Sequence, residues 1–134
     1  MIIRELELKY DYKEKLDYKI DSHVKAKEVI TCNVPMFTKR YIMLALNTKN
    51  ELIGYIEINS FKEKKDFKYL LKSLAAANSN RCIMYDSHNY IQRDNFNVLF
   101  RDFINDLQLF NIELLDIIYN KKDSLQSAKQ NNFL

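Results

Sequence analysis

Hydrophobic residues recur along this chain at two different periods, and the switches between them mark out its elements. Residues 2–10 alternate, with Ile2, Arg4, Leu6, Leu8 and Tyr10 on one side and Ile3, Glu5, Glu7 and Lys9 on the other. A period of two predicts a strand with one buried face. Tyr12, Leu16, Tyr18 and Ile20 follow at mixed spacing, so a strand and an extended arm both remain open. Ser22 then offers an N-cap to a helical stripe of Val24, Ala26, Val29, Ile30 and Val34, which Pro35 closes. Tyr41–Leu46 is an unbroken apolar run, as expected of a strand covered on both faces. Asn47-Thr48-Lys49-Asn50 is turn chemistry, and Leu52–Ile58 returns as a hairpin partner with Gly54 a candidate bulge.

Helical spacing resumes at Phe67, Leu70, Leu71, Leu74 and Ala77, with Asp66 as the expected cap. Arg81–Tyr85 is again a short apolar run, expected in the interior of a sheet. Asp94 is placed to cap a third helix through Phe96, Leu99, Phe100, Phe103, Ile104 and Leu107. Ile112–Tyr119 predicts a last strand, and residues 121–134 are a polar tail. The order predicts one α+β domain with a mixed central β-sheet flanked by helices. An N-terminal arm (1–19), a core (20–120) and the tail (121–134) are its expected parts.

Composition narrows the class. A chain of 134 residues with 47% hydrophobic and 29% charged residues can bury a core without disulfides or metal. One Gly and one Pro argue against a many-stranded sandwich with glycine turns. Cys32 and Cys82 lack metal-ligand spacing and are expected as reduced thiols in half-buried segments. Charge appears directly after Met1-Ile2-Ile3, so no signal peptide is visible, and no apolar run approaches a bilayer span. A soluble cytoplasmic protein is expected, with no membrane partner. A net charge of +3 is too small to imply nucleic acid by itself. The cluster Lys62, Lys64, Lys65, Lys68, interrupted by Glu63 and Asp66, is expected as a solvated loop.

Four stretches in order carry a family likeness: Tyr41–Gly54, the Ala-rich Lys68–Asn78, Cys82-Ile83-Met84-Tyr85-Asp86-Ser87-His88, and Ile112-Glu113-Leu114-Leu115-Asp116-Ile117-Ile118. Together they resemble the JAB/MPN metalloprotease-type domain of the RadC family, over about Ile20 to Leu134. The resemblance implies a cytidine-deaminase-like architecture. It also implies a zinc centre of two His and one Asp, a Glu as general base, and a Ser beside the oxyanion.

Carried over residue by residue, that machinery is incomplete. The Glu position, just before Tyr41, holds Lys39 and Arg40, and a cation cannot take a proton from water. The first His falls on Asp86, an oxygen donor, and the second on His88. Asn89-Tyr90-Ile91 replaces the Pro-Ser-Gly that follows, and the loop to Asp94, the last ligand position, is about five residues short. Ile91 stands where the Ser belongs, and Ile117 follows Asp116 directly where the family has a further His.

Losing base and Ser together removes orders of magnitude in rate. The expectation is a non-catalytic RadC-like domain without a cofactor, acting as a scaffold that pairs with a protein partner or with itself. Lys39 or Arg40 would then pair with Asp86 where the metal would be. The alternative is a divergent metal-dependent hydrolase, with zinc on Asp86, His88 and Asp94. A third possibility is a DNA-associated role, through the family's link with DNA repair and mobile elements. The Lys-, Asn-, Ile- and Tyr-rich composition suits a low-GC bacterium or its phage. Among the other polar residues, His23 is expected as a solvated first-turn side chain. Asp116 is expected buried and paired, fixing the last strand. The pairs Tyr10/Tyr12 and Tyr85/Tyr90 are expected to pack as half-buried side chains rather than to stack on bases.

Overall fold

The computed structural model describes residues 18–32, 41–58, 64–87, 96–121 and 124–131. The expected strand over residues 2–10 lies outside them. The elements are α1 (His23–Cys32), β1 (Tyr41–Leu46), β2 (Leu52–Ile58), α2 (Lys64–Ala76), β3 (Arg81–Asp86), α3 (Phe96–Leu109), β4 (Glu113–Lys121) and β5 (Ser124–Ser127). This is the α+β arrangement that the patterning predicts. The five strands form one mixed sheet in the order β2-β1-β3-β4-β5. β1 runs antiparallel to β2 and β3, β3 lies parallel to β4, and β4 is antiparallel to β5.

The continuous apolar runs occupy the middle of the sheet because both of their faces are covered. β1 is buried at every residue, and β3 is buried from Cys82 to Asp86. On one face Met43, Ala45, Ile56, Met84 and Ile117 meet Phe67, Leu70 and Leu74 of α2 and Phe103 and Leu107 of α3. Phe67 and Phe103 close the seam between these helices with ring centroids 4.9 Å apart. On the other face Ile42, Leu44, Ile83 and Ile118 meet Ala26, Val29 and Ile30 of α1. Ser22 caps α1 as expected, accepting from the Lys25 backbone N–H at 3.3 Å, but Val24 points to solvent and is 53% exposed.

A chain with one glycine needs another residue for left-handed backbone, and asparagine supplies it. Asn50, Asn78 and Asn111 have φ of 63°, 56° and 57°. Asn78 and Asn111 each end a helix. After α2, Asn78 N–H donates to the Ala75 carbonyl and Ser79 N–H to that of Leu74; after α3, Asn111 and Ile112 repeat the pattern on Gln108 and Leu107. These are the paired bonds of a Schellman stop. The register of β1 and β2 shifts between Ala45/Leu46, where Ala45 faces Gly54 and Leu46 faces Leu52. The extra residue of the bulge is therefore Ile53, next to the Gly54 that the sequence suggests.

Several expectations change. The Lys62–Lys68 cluster, expected as a loop, is helical from Lys64 onward, and Asp66 stands in the first turn of α2 rather than capping it. Cys32 is exposed rather than half-buried, while Cys82 is buried, and both are free thiols. The polar tail supplies β5, which pairs Ser124–Ser127 with Lys121–Ile118, and the next residue, Ala128, is completely buried. At the N-terminal side, Ile20 N–H donates to the Asn50 carbonyl and Leu52 N–H to that of Tyr18, each at 2.7 Å, so residues 18–20 are bonded to the edge of the hairpin.

Candidate functional site

β3 ends at Asp86, which has no solvent exposure. Its register partners are Tyr41, the first residue of β1, and Tyr119 in β4. Residues opposite one another across paired strands share a face, so Tyr41, Asp86 and Tyr119 form one row on the α2/α3 side. The two tyrosines are 5% and 1% exposed. Asn120 ties the strand ends together, donating through Nδ2 to the Tyr85 hydroxyl at 3.1 Å and the Ser87 carbonyl at 3.3 Å. Asn131 reaches back from beyond β5 to donate to the Tyr119 hydroxyl at 2.8 Å. Tyr85 is buried at 5% exposure, as packing predicts, and its expected neighbour Tyr90 lies outside the described residues, as do Tyr10 and Tyr12.

This row sits at the carboxyl ends of the parallel strands β3 and β4, where open α/β sheets place their ligand sites. A carboxylate taken wholly out of water costs several kcal/mol unless it is paired or hydrogen-bonded, and Asp86 is not without an interaction partner. Lys39, Arg40, His88 and Asp94 lie outside the described residues. Among the described residues no three His, Cys, Asp or Glu side chains gather closely enough to hold a metal ion. One geometric fact links the expected cations to Asp86. Tyr41, which follows Lys39-Arg40 directly in the chain, is the register partner of Asp86.

Asp116 is the second buried carboxylate, 6% exposed and on the opposite, α1 face, in register with Ile83. The Ser127 hydroxyl donates to its Oδ2, and the backbone N–H groups of Ile117 and Lys129 donate to its Oδ1 at 2.8 and 3.0 Å. The expected burial and pairing of Asp116 are thus seen, with a partner the sequence conceals. Ser127 falls in the presumed tail, and only the fold brings it to Asp116. Its Oγ also accepts from the Gln130 N–H at 3.1 Å and so shapes the turn after β5.

A cavity of about 470 Å³ opens beside this pair, lined by Asp21, His23, Asn50, Asp116, Ser127 and Lys129 among others. His23 is half-buried there, not solvated as expected. Its Nδ1 is enclosed, with no hydrogen-bond partner among the described residues. Of the acids in the wall, Asp116 is engaged as above, and Asp21 Oδ1 lies 3.4 Å from Lys25 Nζ in an exposed pair. A Ser hydroxyl bonded directly to a carboxylate, with no imidazole between them, lacks the relay of nucleophilic catalysis. The pair acts as a fastener.

No protein-family model matches the chain, and no curated protein sequence does. No helix among the described residues is long and apolar enough to cross a membrane.

Proposed function

We propose that this chain is a RadC-like JAB/MPN domain whose metal centre has been replaced by a buried ion pair, and that it works as a non-catalytic interaction module. The observation that carries this is the closed setting of Asp86. A carboxylate with no access to water needs a positive partner or hydrogen bonds. Asp86, on the first His position of the resemblance, lies in register between Tyr41 and Tyr119 with no exposure. The residues preceding Tyr41 are Lys39 and Arg40, standing where the resemblance calls for the general base. A cation from that pair satisfies Asp86 without metal.

Support for the family itself is the order of elements. The described order of helix, hairpin, helix, strand, helix and two strands carries the four resembling stretches in sequence, hairpin β1–β2, α2, β3 and β4, with β5 added after them. The cytidine-deaminase-like architecture is proposed on the same ground. With its chemistry gone, what remains useful is the surface, which would bind a protein partner or a second copy, in a cytoplasmic and DNA-associated setting.

Elemental analysis of protein purified without a histidine tag or chelator tests this. Sub-stoichiometric zinc is expected, and zinc near one equivalent, lost in an Asp86→Ala variant, would establish the metal-dependent hydrolase on Asp86, His88 and Asp94 instead.

A further inference from the structure

We propose that the outward face of α2 binds single-stranded nucleic acid through its phosphate backbone. Along the sequence this segment reads as a basic cluster interrupted by Asp66. Winding it into a helix of 3.6 residues per turn separates them. Phe67, Leu70, Ser73 and Leu74 turn inward and are buried. Lys65, Lys68, Tyr69, Lys72, Ala75 and Ala76 turn outward, and all six are exposed. Asp66, the only acid in α2, is half-buried and lies about a quarter-turn from Lys65, off this ridge. Among its exposed residues α2 therefore presents Lys65, Lys68 and Lys72 and no acid.

Two further features choose the ligand. Lys65 and Lys72 are separated by about 10 Å of helix rise, so the amines form a line rather than a point, and a line of cations matches a chain of phosphates. Within that line stands Tyr69, an aromatic ring left 42% exposed although the core below it has abundant apolar surface. The exposed Ala75 and Ala76 beyond it leave the approach to the helix low. An exposed ring among lysines is the arrangement on which an unpaired base stacks while its phosphate is neutralised. A duplex keeps its bases stacked internally and cannot use the ring, which is why a single strand is preferred. The inference does not depend on the proposed loss of the metal centre, since α2 would present this ridge with or without zinc at Asp86.

The test is fluorescence anisotropy with labelled oligothymidylate and oligouridylate, and with a duplex of equal length, over a salt series. Two to three phosphate contacts predict a slope of log affinity against log salt of about −1.5 to −2 for the single strands. Lys68→Gln and Lys72→Gln should each reduce that slope by about 0.7. Tyr69→Ala should weaken single-strand binding about tenfold with the slope unchanged, and Tyr69→Phe should restore it. All three side chains are exposed, and unfolding curves superimposable on the parent confirm that the variants are folded. Preference for either single strand tells DNA from RNA and supports the proposal equally. Absence of salt-dependent binding at low salt overturns it. So does binding that the lysine variants leave intact, a duplex bound as well as the single strands, or binding only to anionic vesicles.

Discussion

Asp116 and Asp86 lie on opposite faces of one sheet, 6% and 0% exposed, and the fold treats them differently. Around Asp116 three donors converge, two from the backbone and one from Ser127, so the carboxylate joins β4 to β5 and to the turn beyond. Around Asp86 the neighbours in register are tyrosines, and the position is the exit of a central strand, where chains leave the sheet and where sites are built. Burial alone therefore does not mark a functional acid. What separates the two is position: the bonds of Asp116 fasten β5 and the turn after it to β4, whereas Asp86 stands at the exit of a central strand.

The sharpest way to test that contrast is to remove each acid. Asp116→Ala strands a hydroxyl and two N–H groups, and should lower the unfolding free energy by about 3 kcal/mol in urea titrations. A loss under about 1 kcal/mol would mean that the three bonds do not fasten β5. On the proposed pairing, Asp86→Ala leaves a cation without its partner and should cost about 3 kcal/mol. Its signature is coupling: in a double-mutant cycle with Arg40→Ala or Lys39→Ala, one cycle should show an interaction above about 0.5 kcal/mol. If neither does, the ion pair is wrong, although Asp86 remains a buried acid.

Ser127→Ala should cost about 1 kcal/mol, less than Asp116→Ala, since two of the three donors to the carboxylate survive. The smallest effect concerns the thiols. Burial pushes the Cys82 thiol well above its ordinary pKa, while Cys32 is exposed. In the native protein one thiol should react promptly with Ellman's reagent near pH 8, and both in denaturant. Because the folded pKa is raised, the contribution of Cys82 is present below the pKa of a free thiol. Stability should decline as pH rises above about 9, where the unfolded chain ionises first. Tyr18 adds to this in the same direction, its pKa raised by burial and by the hydrogen bond it donates to Glu28.

How far the sequence revealed this contrast depended on the range of the interactions. The runs Tyr41–Leu46 and Arg81–Tyr85 announced central strands, because burial on both faces is written in consecutive residues. The stripes of α2 and α3 were legible for the same local reason. Ser-Leu-Gln-Ser was not recognisable as a strand, since nothing within Ser124–Ser127 sets it apart from a polar tail. It becomes one through Asp116, eleven positions before Ser127. Asp86 was visible as an acid at a strand exit, but its enclosure depends on Tyr41 and Tyr119, distant in the chain. His23 misled because a first-turn polar residue is usually solvated, and here a cavity wall half-covers it. The line of Lys65, Lys68 and Lys72 was incomplete in the sequence because Lys65 precedes the expected cap at Asp66, whereas the helix begins at Lys64.

The place of β5 in the sheet also bears on how the protein is made. A ribosome delivers β4 before Ser124–Ser127, so for a time the growing chain carries a strand edge with nothing beside it. The Asp116 carboxylate then lacks the Ser127 and Lys129 groups that later bind it. An uncovered edge of this kind invites pairing with a neighbouring chain. Until Ser124–Ser127 pairs, the β4 edge is one place at which the chain is open to wrong pairing with a neighbour.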